Sequence, residues 1–295
     1  MPHEHRDDGH ALSHPKTSTE LIAGEQMSAI IAQTAVVDPR AKLGKNVRIG
    51  HFCVIGPEVE IGDDTQVEDH VIISGVSRLG EHNHVFPGVI IGSHPQDVSY
   101  QNTATRVEIG DGNVFREHCT VNRASEKEDG VTRIGDNNYF MTGTHIAHDC
   151  KLGDRIVIAN NCMLGGHVHI GNDVTIAGGV GVHHFASIGT LSFVGAMSTV
   201  LHDVPPYMLA EGTKGLPRAV NRVGLIRHDY PQEDVDVLKQ AFKLLYRSRV
   251  GAEAARREMF ETGPIRPVLA HLFDFLDHSN GGRHGRGRDR RRKAA

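Results

Sequence analysis

The amino-acid sequence predicts a mainly β protein: a parallel β-helix of hexapeptide repeats followed by a C-terminal α-helical domain. Three observations predict it. An aliphatic residue returns at every sixth position over most of the chain, glycine is abundant at 33 of 295 residues, and helical patterns begin only after the repeat has ended at a pair of prolines. Abundant glycine with only 5% aromatic residues favours a turn-rich β architecture over a helical bundle.

The six-residue period is the strongest of these signals. It runs from Ile31 to Ile91, resumes at Ile109, and after a shift of frame runs from Ile134 to Val200. This period is typical of a parallel β-helix, in which each short strand turns a corner after one repeat. Three repeats make a coil of about 18 residues with its aliphatic side chains inside, and coils stack about 4.8 Å apart. Glycine often follows the aliphatic residue and is expected at the corners, where φ is unfavourable for other residues.

The repeat and its interruptions divide the chain into four parts. We predict a disordered N-terminal extension at 1–28, the hexapeptide-repeat β-helix at 29–205, a helical domain at 206–280 and a basic, disordered tail at 281–295. Two polar interruptions, at about 93–108 and 122–133, are predicted loops that leave the coil wall and carry function or merely decorate the surface. Met27, directly before the repeat, is a candidate start residue.

The helical domain contains two amphipathic patterns, at 231–249 and 267–279. Apolar residues recur at helical spacing in both. In the first, acidic residues come early and basic residues come late, which suits the helix dipole. Both stretches are therefore predicted helices.

Composition also limits the compartment and the partners. No run approaches the roughly 18 apolar residues of a membrane span, and the N-terminus lacks the apolar core of a signal peptide. The four cysteines form no CxxC pair, which indicates reduced thiols in a cytoplasmic protein. The basic tail has the charge to touch nucleic acid or anionic lipid, but we expect no specific partner for it and no nucleic-acid function.

The candidate catalytic residues lie on one ridge of the predicted β-helix. Residues 18 apart stack on one another, so Gly166 comes above His148, and His184 comes above Gly166; likewise His167 comes above Asp149. His148 and His184 should therefore lie roughly 9–10 Å apart. Gly166 leaves a slot between them, in which a backbone N–H can hold a developing oxyanion.

Three interpretations of this ridge compete. In the first, His148 is a general base that takes a proton from a hydroxyl, and Asp149 fixes its tautomer and orientation. In the second, His145, His148 and His167 bind zinc and leave one coordination position open. In the third, the histidines have only a structural role and hydrogen-bond to polar groups of the turns. The stacked glycine and the neighbouring loops favour the first.

Several segments carry a resemblance to a known family. These are "HIAHDC" (145–150), "ANNCMLGGHV" (159–168), "VGVHHFASIG" (180–189), "DVPPYMLAEG" (203–212) and "KLLYRS" (243–248). Together they closely resemble the UDP-N-acetylglucosamine acyltransferases, over about residues 30–280. Hexapeptide repeats alone are shared by many acyltransferases, whereas "HIAHDC" combined with "DVPPY" is more specific.

The resemblance implies a fold, an activity and partners. It implies a left-handed parallel β-helix, a hand that the usual right-handed crossover would not give. It implies a cytoplasmic homotrimer with active sites between subunits. The reaction it implies moves a 3-hydroxyacyl chain from acyl carrier protein to the 3-hydroxyl of UDP-N-acetylglucosamine, the first step of lipid A biosynthesis, with no cofactor or metal.

The resemblance also assigns residues. It makes His148 the general base, Asp149 its support and Gly166 the backbone donor to the oxyanion. Ala196 matches the position that limits acyl-chain length, usually glycine where longer chains are used, so its methyl group should shorten the pocket slightly. The residues that match substrate-binding positions are Gln96, Asp97, His145, His167, His184, Asn221 and Arg227.

Some positions depart from the family pattern. Ser99 stands where a lysine is common, Asn122 where a histidine is common, and His184 where a glutamine is usual. A cationic contact to the substrate is therefore lost or is supplied by Arg106 or Arg123, and an acceptor with a 3-amino sugar is an alternative. The acidic carrier protein would dock on basic residues of the helical domain. These are Lys214, Arg218, Arg222, Lys239, Lys243, Arg247, Arg249, Arg256 and Arg257.

Two other functions remain open on the sequence alone. A γ-class carbonic anhydrase-like zinc enzyme uses the same β-helix, but the long first loop and the extended helical domain count against it. A non-catalytic scaffold of hexapeptide repeats would not need His148, Asp149 and Gly166 to be aligned.

Overall fold

The computed structural model describes residues 28–261, 263 and 265–289. In this part of the chain, short strands form three sheets, one on each face of a triangular prism, and four α-helices follow them. The predicted N-terminal extension, apart from residue 28, and the last six residues of the predicted tail lie outside the described residues.

The strands follow one another from face to face. The first sheet contains β1 (Ile30–Ile31), β4 (Arg48–Ile49), β7 (Gln66–Val67), β10 (His84–Val85), β13 (Val114–Phe115), β16 (Tyr139–Phe140), β19 (Val157–Ile158), β22 (Thr175–Ile176), β25 (Phe193–Val194), β27 (Met208–Glu211) and β28 (Leu216–Val220). The second contains β2 (Val36–Val37), β5 (Val54–Ile55), β8 (Ile72–Ile73), β11 (Ile90–Ser93), β14 (Thr120–Asn122), β17 (His145–Ile146), β20 (Met163–Leu164), β23 (Gly181–Val182) and β26 (Thr199–Val200). The third contains β3 (Lys42–Leu43), β6 (Val59–Ile61), β9 (Val76–Leu79), β12 (Arg106–Ile109), β15 (Val131–Ile134), β18 (Lys151–Leu152), β21 (His169–Ile170) and β24 (Ser187–Ile188).

The predicted coil length is confirmed by the strand register. Ile30 pairs with Arg48 and His145 pairs with Met163, in both cases 18 residues along the chain and in parallel. The hexapeptide side chains point into the prism: Ile55 and Ile158 are at most 1% exposed. One hydrophobic core therefore runs the length of the β-helix.

The coil corners differ from the sequence expectation. At most coil corners the left-handed conformation is adopted by residues other than glycine, for example Asp149 (φ 62°), Asn161 (φ 57°) and His167 (φ 63°). Asn, Asp and His tolerate this region better than other side chains. The glycine after the aliphatic residue is needed for space instead: a Cβ on Gly62 would lie 2.5 Å from the backbone of Gly80 in the next coil.

Two coils are longer than 18 residues. Ile90 pairs with Thr120 and Thr120 pairs with His145, across 30 and 25 residues. The extra residues form loops at 94–105 and 123–130, which confirms the two predicted excursions. Both loops leave the corner between the second and third sheets, the same corner that carries His148 one coil after the second loop.

Two more strands, β27 and β28, follow the predicted boundary at residues 205–206 before the first helix begins. β27 continues the first sheet in parallel, and β28 pairs with β27 antiparallel. The helices are α1 (Arg222–Arg227), α2 (Gln232–Phe242), α3 (Ala252–Glu261) and α4 (Pro267–Asn280). The two predicted helices are confirmed. α2 lies in the first predicted stretch and continues as a π-helical segment over Lys243–Ser248, and α4 lies in the second. They bury a second core that includes Leu238, Leu272 and Phe273.

The predicted disordered tail is wrong for residues 281–289. Arg286 is buried and donates a hydrogen bond to the carbonyl oxygen of Leu201 (2.7 Å), and the Gly287 N–H donates to Asp203 (2.7 Å). An ion pair with Asp289 (2.5 Å) compensates for the burial of the Arg286 charge. A basic, glycine-rich composition indicates solvation and gives no sign of such partners.

We find among the described helices none with both the length and the apolar character needed to cross a membrane.

Candidate active site

The stacking of Gly166 on His148 is confirmed. A Cβ on Gly166 would lie 2.6 Å from Cε1 and 2.7 Å from Nε2 of His148, so only glycine leaves room for the imidazole. Within the part of the chain that the structure describes, the Gly166 N–H donates to no acceptor. A free donor beside a histidine nitrogen is the arrangement that an oxyanion needs.

Asp149 orients His148. Its Oδ2 lies 2.8 Å from Nδ1 of His148, and the His148 side chain is only 12% exposed. The fully buried carboxylate also accepts hydrogen bonds from the backbone N–H (3.1 Å) and the hydroxyl (2.6 Å) of Ser125. Burial alone would raise the pKa of Asp149, but the hydrogen bonds from His148 and Ser125 outweigh it and lower the pKa. The carboxylate is thus ionised while it holds the imidazole.

Ser125 was not identified from the sequence. It lies in the second loop, at 123–130, where polar residues are common and the hexapeptide period gives no information about which of them turns inward. Only the fold shows that this loop returns over Asp149.

His167 is the second imidazole of the site. Its Nε2 lies 3.7 Å from Oδ2 of Asp149, as expected for residues that stack one 18-residue coil apart, and its Nδ1 lies 3.1 Å from Oε1 of Glu128. The ring stacks on Phe185 with 4.4 Å between centroids, and meets the ring of His148 edge-on at 5.2 Å. The His167 ring is therefore held by contacts with two other rings and with Glu128.

The three histidines suggested from the sequence as zinc ligands do not all come together in the structure. Nδ1 of His145 lies 2.7 Å from the Thr120 hydroxyl, away from the other two histidines. Potential ligand atoms of His148, Asp149 and His167 do lie within 4.8 Å of one another. Since Oδ2 of Asp149 already accepts hydrogen bonds from His148 and Ser125, this cluster fits a hydrogen-bonded base better than a metal centre.

The two loops together bring a charged pair to the site. Asp97 accepts hydrogen bonds from the N–H (2.9 Å) and hydroxyl (2.8 Å) of Ser99 and forms an ion pair with Lys127. The Lys127 ammonium, together with Ser99, holds the pKa of Asp97 well below its usual range.

Lys127 is the cation that pairs with Asp97. Of the two arginines suggested from the sequence as a cationic contact to the substrate, Arg106 is paired with Glu108 (2.7 Å) and Arg123 donates to the carbonyl oxygen of Gly92 (3.1 Å).

Two clefts meet at His148. A polar cleft of about 740 Å³ is lined by Asp97, Lys127, Glu128, His148, Gly165, Gly166, His167, His184, Phe185, Arg283, Arg288 and Asp289. An apolar groove of about 630 Å³ is lined by Gln96, His145, Ala147, His148, Met163, Leu164, Gly165, Gly166, Gly181, Val182, His183, Thr199 and Leu201. His148 and Gly166 thus face a charged compartment and an apolar one.

Comparison with known proteins decides the family. The family model described as "Udp N-acetylglucosamine O-acyltransferase; Domain 2" matches residues 203–287, and the bacterial transferase hexapeptide model matches 40–75 and 132–166. The acyl-[acyl-carrier-protein]–UDP-N-acetylglucosamine O-acyltransferase of Synechocystis is 41% identical over 210 residues, 71% of this chain and 75% of its own. The chain belongs to this family. The enzyme of the same name from Thermodesulfovibrio yellowstonii is 38% identical over 252 residues, 85% of this chain and 98% of its own.

Solved structures of the family agree. The UDP-N-acetylglucosamine O-acyltransferase of Moraxella catarrhalis superposes with a TM-score of 0.79 at 37% identity, over 83% of this chain and 95% of the other. The expected fold class, a left-handed parallel β-helix of hexapeptide repeats with a C-terminal helical region, is confirmed.

Other residues implied by the family resemblance also lie at the site. Gln96 and His145 line the apolar groove, and the exposed His184 lines the polar cleft. Burial, and to a lesser extent the neighbouring His148, lowers the pKa of His145 and so favours its neutral form. His183 was not singled out from the sequence; it lines the apolar groove, and its ring lies 3.8 Å from that of His184.

Three of the implied residues lie elsewhere in the single chain. Asn221 begins α1, where its side chain accepts a hydrogen bond from the Gly224 N–H (3.0 Å), and Arg227 is exposed at the end of α1. Ala196 is exposed in the turn before β26. None of the three lines the polar cleft or the apolar groove.

The lowered pKa of Asp149 predicts that the stability of the fold depends on pH. Because its folded-state pKa lies below the unfolded value of about 3.9, the ionised carboxylate stabilises the fold above that pH, and this contribution is lost as the pH falls through the lower folded value. Asp149→Asn should therefore lower the free energy of unfolding by about 3 kcal/mol at pH 7. Urea unfolding from pH 7 to pH 2, at constant protein concentration, should show this difference shrink below pH 4.

The matched control is Glu58→Gln, which changes an exposed carboxylate of the β-helix. It should have little effect at either end of the pH range. A loss in Asp149→Asn that is equally large at pH 2 and pH 7 would contradict the assignment of an ionised carboxylate.

Proposed function

We propose that the protein transfers a 3-hydroxyacyl chain from acyl carrier protein to the 3-hydroxyl of UDP-N-acetylglucosamine, the first step of lipid A biosynthesis, without a cofactor. The observation that carries this proposal is the His148 imidazole, whose Nδ1 is tied to the buried Asp149 and whose Nε2 faces the slot at Gly166. The relatives supply the two substrates, since they are named acyl-[acyl-carrier-protein]–UDP-N-acetylglucosamine O-acyltransferases.

The chemistry follows from this geometry. With Nδ1–H donated to Asp149, Nε2 of His148 is free to take the proton of the sugar hydroxyl, and the carboxylate stabilises the imidazolium that forms. The hydroxyl oxygen attacks the thioester carbonyl, and the resulting oxyanion accepts a hydrogen bond from the Gly166 N–H. When the intermediate collapses, the C–S bond breaks and the departing thiolate takes the proton back from His148.

The two clefts suit the two substrates. Lys127, Arg283 and Arg288 give the polar cleft cations for the diphosphate of a nucleotide sugar, and Gln96, Asp97, His167 and His184 are polar groups for the sugar. Met163, Val182 and Leu201 give the groove an apolar wall for the acyl chain. The free N–H of Gly166 lies where the two compartments join.

We propose that the active protein is a homotrimer with its sites between neighbours. Two observations support this. Asn221 and Arg227, which match substrate-binding residues of the family, line neither compartment within one chain. Met163, in the wall of the apolar groove, is 58% exposed in the single chain, which a neighbouring subunit would reduce.

The acidic carrier protein would dock on the C-terminal part of the chain. Six exposed cations there have no carboxylate partner among the described residues: Lys214, Arg218, Arg222, Lys243, Arg247 and Arg249. Complementary charge of this kind mainly accelerates the encounter. The four cysteines are free and buried, which supports the cytoplasm as the compartment.

The two alternative activities are not supported. The relatives are named as O-acyltransferases, so neither a carbonic anhydrase-like zinc enzyme nor transfer to a 3-amino sugar has support from them.

His148→Ala tests the proposed base. Acyl transfer from 3-hydroxyacyl carrier protein to UDP-N-acetylglucosamine should fall by at least about 10²-fold, because the proton acceptor is gone. Wild-type activity should survive treatment with a chelator. Equal activity in the two proteins, or wild-type activity that chelation abolishes and zinc restores, would contradict a metal-free histidine base.

Ala196→Gly tests the proposed limit on acyl-chain length. If the methyl group shortens the acyl pocket at a subunit boundary, the variant should gain kcat/KM for longer chains relative to the wild type's preferred one, by about tenfold for one or two methylenes. Ala177→Gly, in the preceding coil at the position below Gly195, is the control and should leave the preference unchanged. An identical chain-length profile in Ala196→Gly would contradict this role.

A further inference from the structure

The C-terminal segment 283–289 enters the polar cleft beside the catalytic corner. It is fixed there independently of Arg288: the buried Arg286 donates to the carbonyl oxygen of Leu201, and the Gly287 N–H donates to Asp203. Arg288, the next residue, is thereby delivered to the cleft wall. Its side chain is 24% exposed.

The guanidinium of Arg288 makes two contacts there. One nitrogen donates to the main-chain carbonyl oxygen of His167, and another lies 2.6 Å from Oε1 of Glu128. The same oxygen of Glu128 lies 3.1 Å from Nδ1 of His167. Arg288 thus contacts His167 directly through its backbone and indirectly through a carboxylate.

These contacts continue to the base. His167 turns its Nε2 towards Oδ2 of Asp149 (3.7 Å), and that same oxygen accepts the hydrogen bond that orients His148 (2.8 Å). Two imidazoles therefore approach one carboxylate oxygen, and the charge on His167 decides whether it competes with His148 for that oxygen.

We propose that Arg288 is a positioning residue of the acyl-transfer site: its guanidinium neutralises and holds Glu128, and so keeps His167 from competing with His148 for Asp149. The proposal rests on the proposed function, since it concerns the base of that reaction. It assigns the C-terminal segment a role in the geometry of the base, beyond the cations that Arg283 and Arg288 give the polar cleft.

The charges around His167 explain the effect. The titratable and charged groups that face it are Glu128, Arg288, Asp149, His148, His169 and His184. An adjacent carboxylate favours the protonated imidazole, and a nearby cation opposes it. Without Arg288, the Glu128 carboxylate would act on His167 alone. A protonated His167 would then attract Asp149 and weaken the hold on His148.

The test is the pH profile of kcat/KM for acyl transfer in four proteins: wild type, Arg288→Ala, Glu128→Gln and the double variant. In Arg288→Ala we expect the acidic limb of the profile to shift to higher pH by about one unit. At a given pH on that limb, kcat/KM should then be about tenfold lower than in the wild type. The double variant should return the limb towards the wild-type position, because the unopposed carboxylate is gone. Arg288→Lys, which retains the charge, should restore most of the profile.

The matched control is Arg40→Ala, which removes an arginine from an exposed pair with Asp38 far from the cleft. Its profile should coincide with that of the wild type. An unchanged acidic limb in Arg288→Ala, or a double variant that is no different from the single one, would overturn the proposal. A rise in KM without movement of the limb would also overturn it, since that result describes a plain substrate contact.

A second readout separates this proposal from the proposed function. The ring signals of ¹⁵N-labelled histidines, with His167→Asn used for assignment, report the protonation of His167 without turnover. We expect His167 to titrate at higher pH in Arg288→Ala than in the wild type, whether or not the wild type transfers acyl groups to UDP-N-acetylglucosamine. If the wild type does not transfer acyl groups to UDP-N-acetylglucosamine, the proposed function is wrong. If His167 titrates identically in both proteins, the proposed role of Arg288 is wrong.

Discussion

The inward-facing aliphatic side chain at every sixth position is the constraint on which the rest of the structure depends. A strand that slipped by one residue would turn its aliphatic side chain outward and a polar one into the prism, so the register of each coil is strongly determined. Parallel pairing then places each residue above the one 18 positions earlier. The vertical alignment of His148 with Gly166 is a consequence of this core and needs no further specification.

The catalytic corner uses that alignment in two ways. Coils stack closely enough that a side chain on Gly166 would collide with the imidazole below it, so the site needs a glycine for space. The left-handed corner residues Asp149 and His167 lie one above the other, which brings a carboxylate within reach of two imidazoles. Burial of the carboxylate is tolerable because Ser125 and His148 donate to it.

The features that follow from the repeat could be predicted from the sequence. The six-residue period predicts the coil, and the 18-residue coil is enough to bring His148, Asp149, Gly166 and His167 together. The repeat does not determine the contents of the loops. Ser125 and Glu128 lie in an excursion where no period relates one residue to another, so their return to the corner depends on tertiary packing.

Charged segments were harder still to predict. The composition around Arg286 and Arg288 indicates a solvated tail, yet Arg286 donates to a carbonyl oxygen of the β-helix, and Arg288 has a carbonyl and a carboxylate partner there. The cation opposite Asp97 is Lys127 from the second loop, a pair that the sequence did not predict. In each case the partner is distant along the chain, and single-sequence patterns carry no information about such pairs.

The most direct test of this account is the rate of acyl transfer by Gly166→Ala compared with Gly178→Ala. We expect a loss of at least about 10²-fold in Gly166→Ala, because the methyl group would displace His148 from the free N–H, and little change in thermal stability. In Gly178→Ala the nearest atom to the new methyl group is a backbone oxygen at 3.6 Å, so transfer should stay near the wild-type rate. Wild-type transfer by Gly166→Ala would contradict the claim that the stacked coils create the catalytic site.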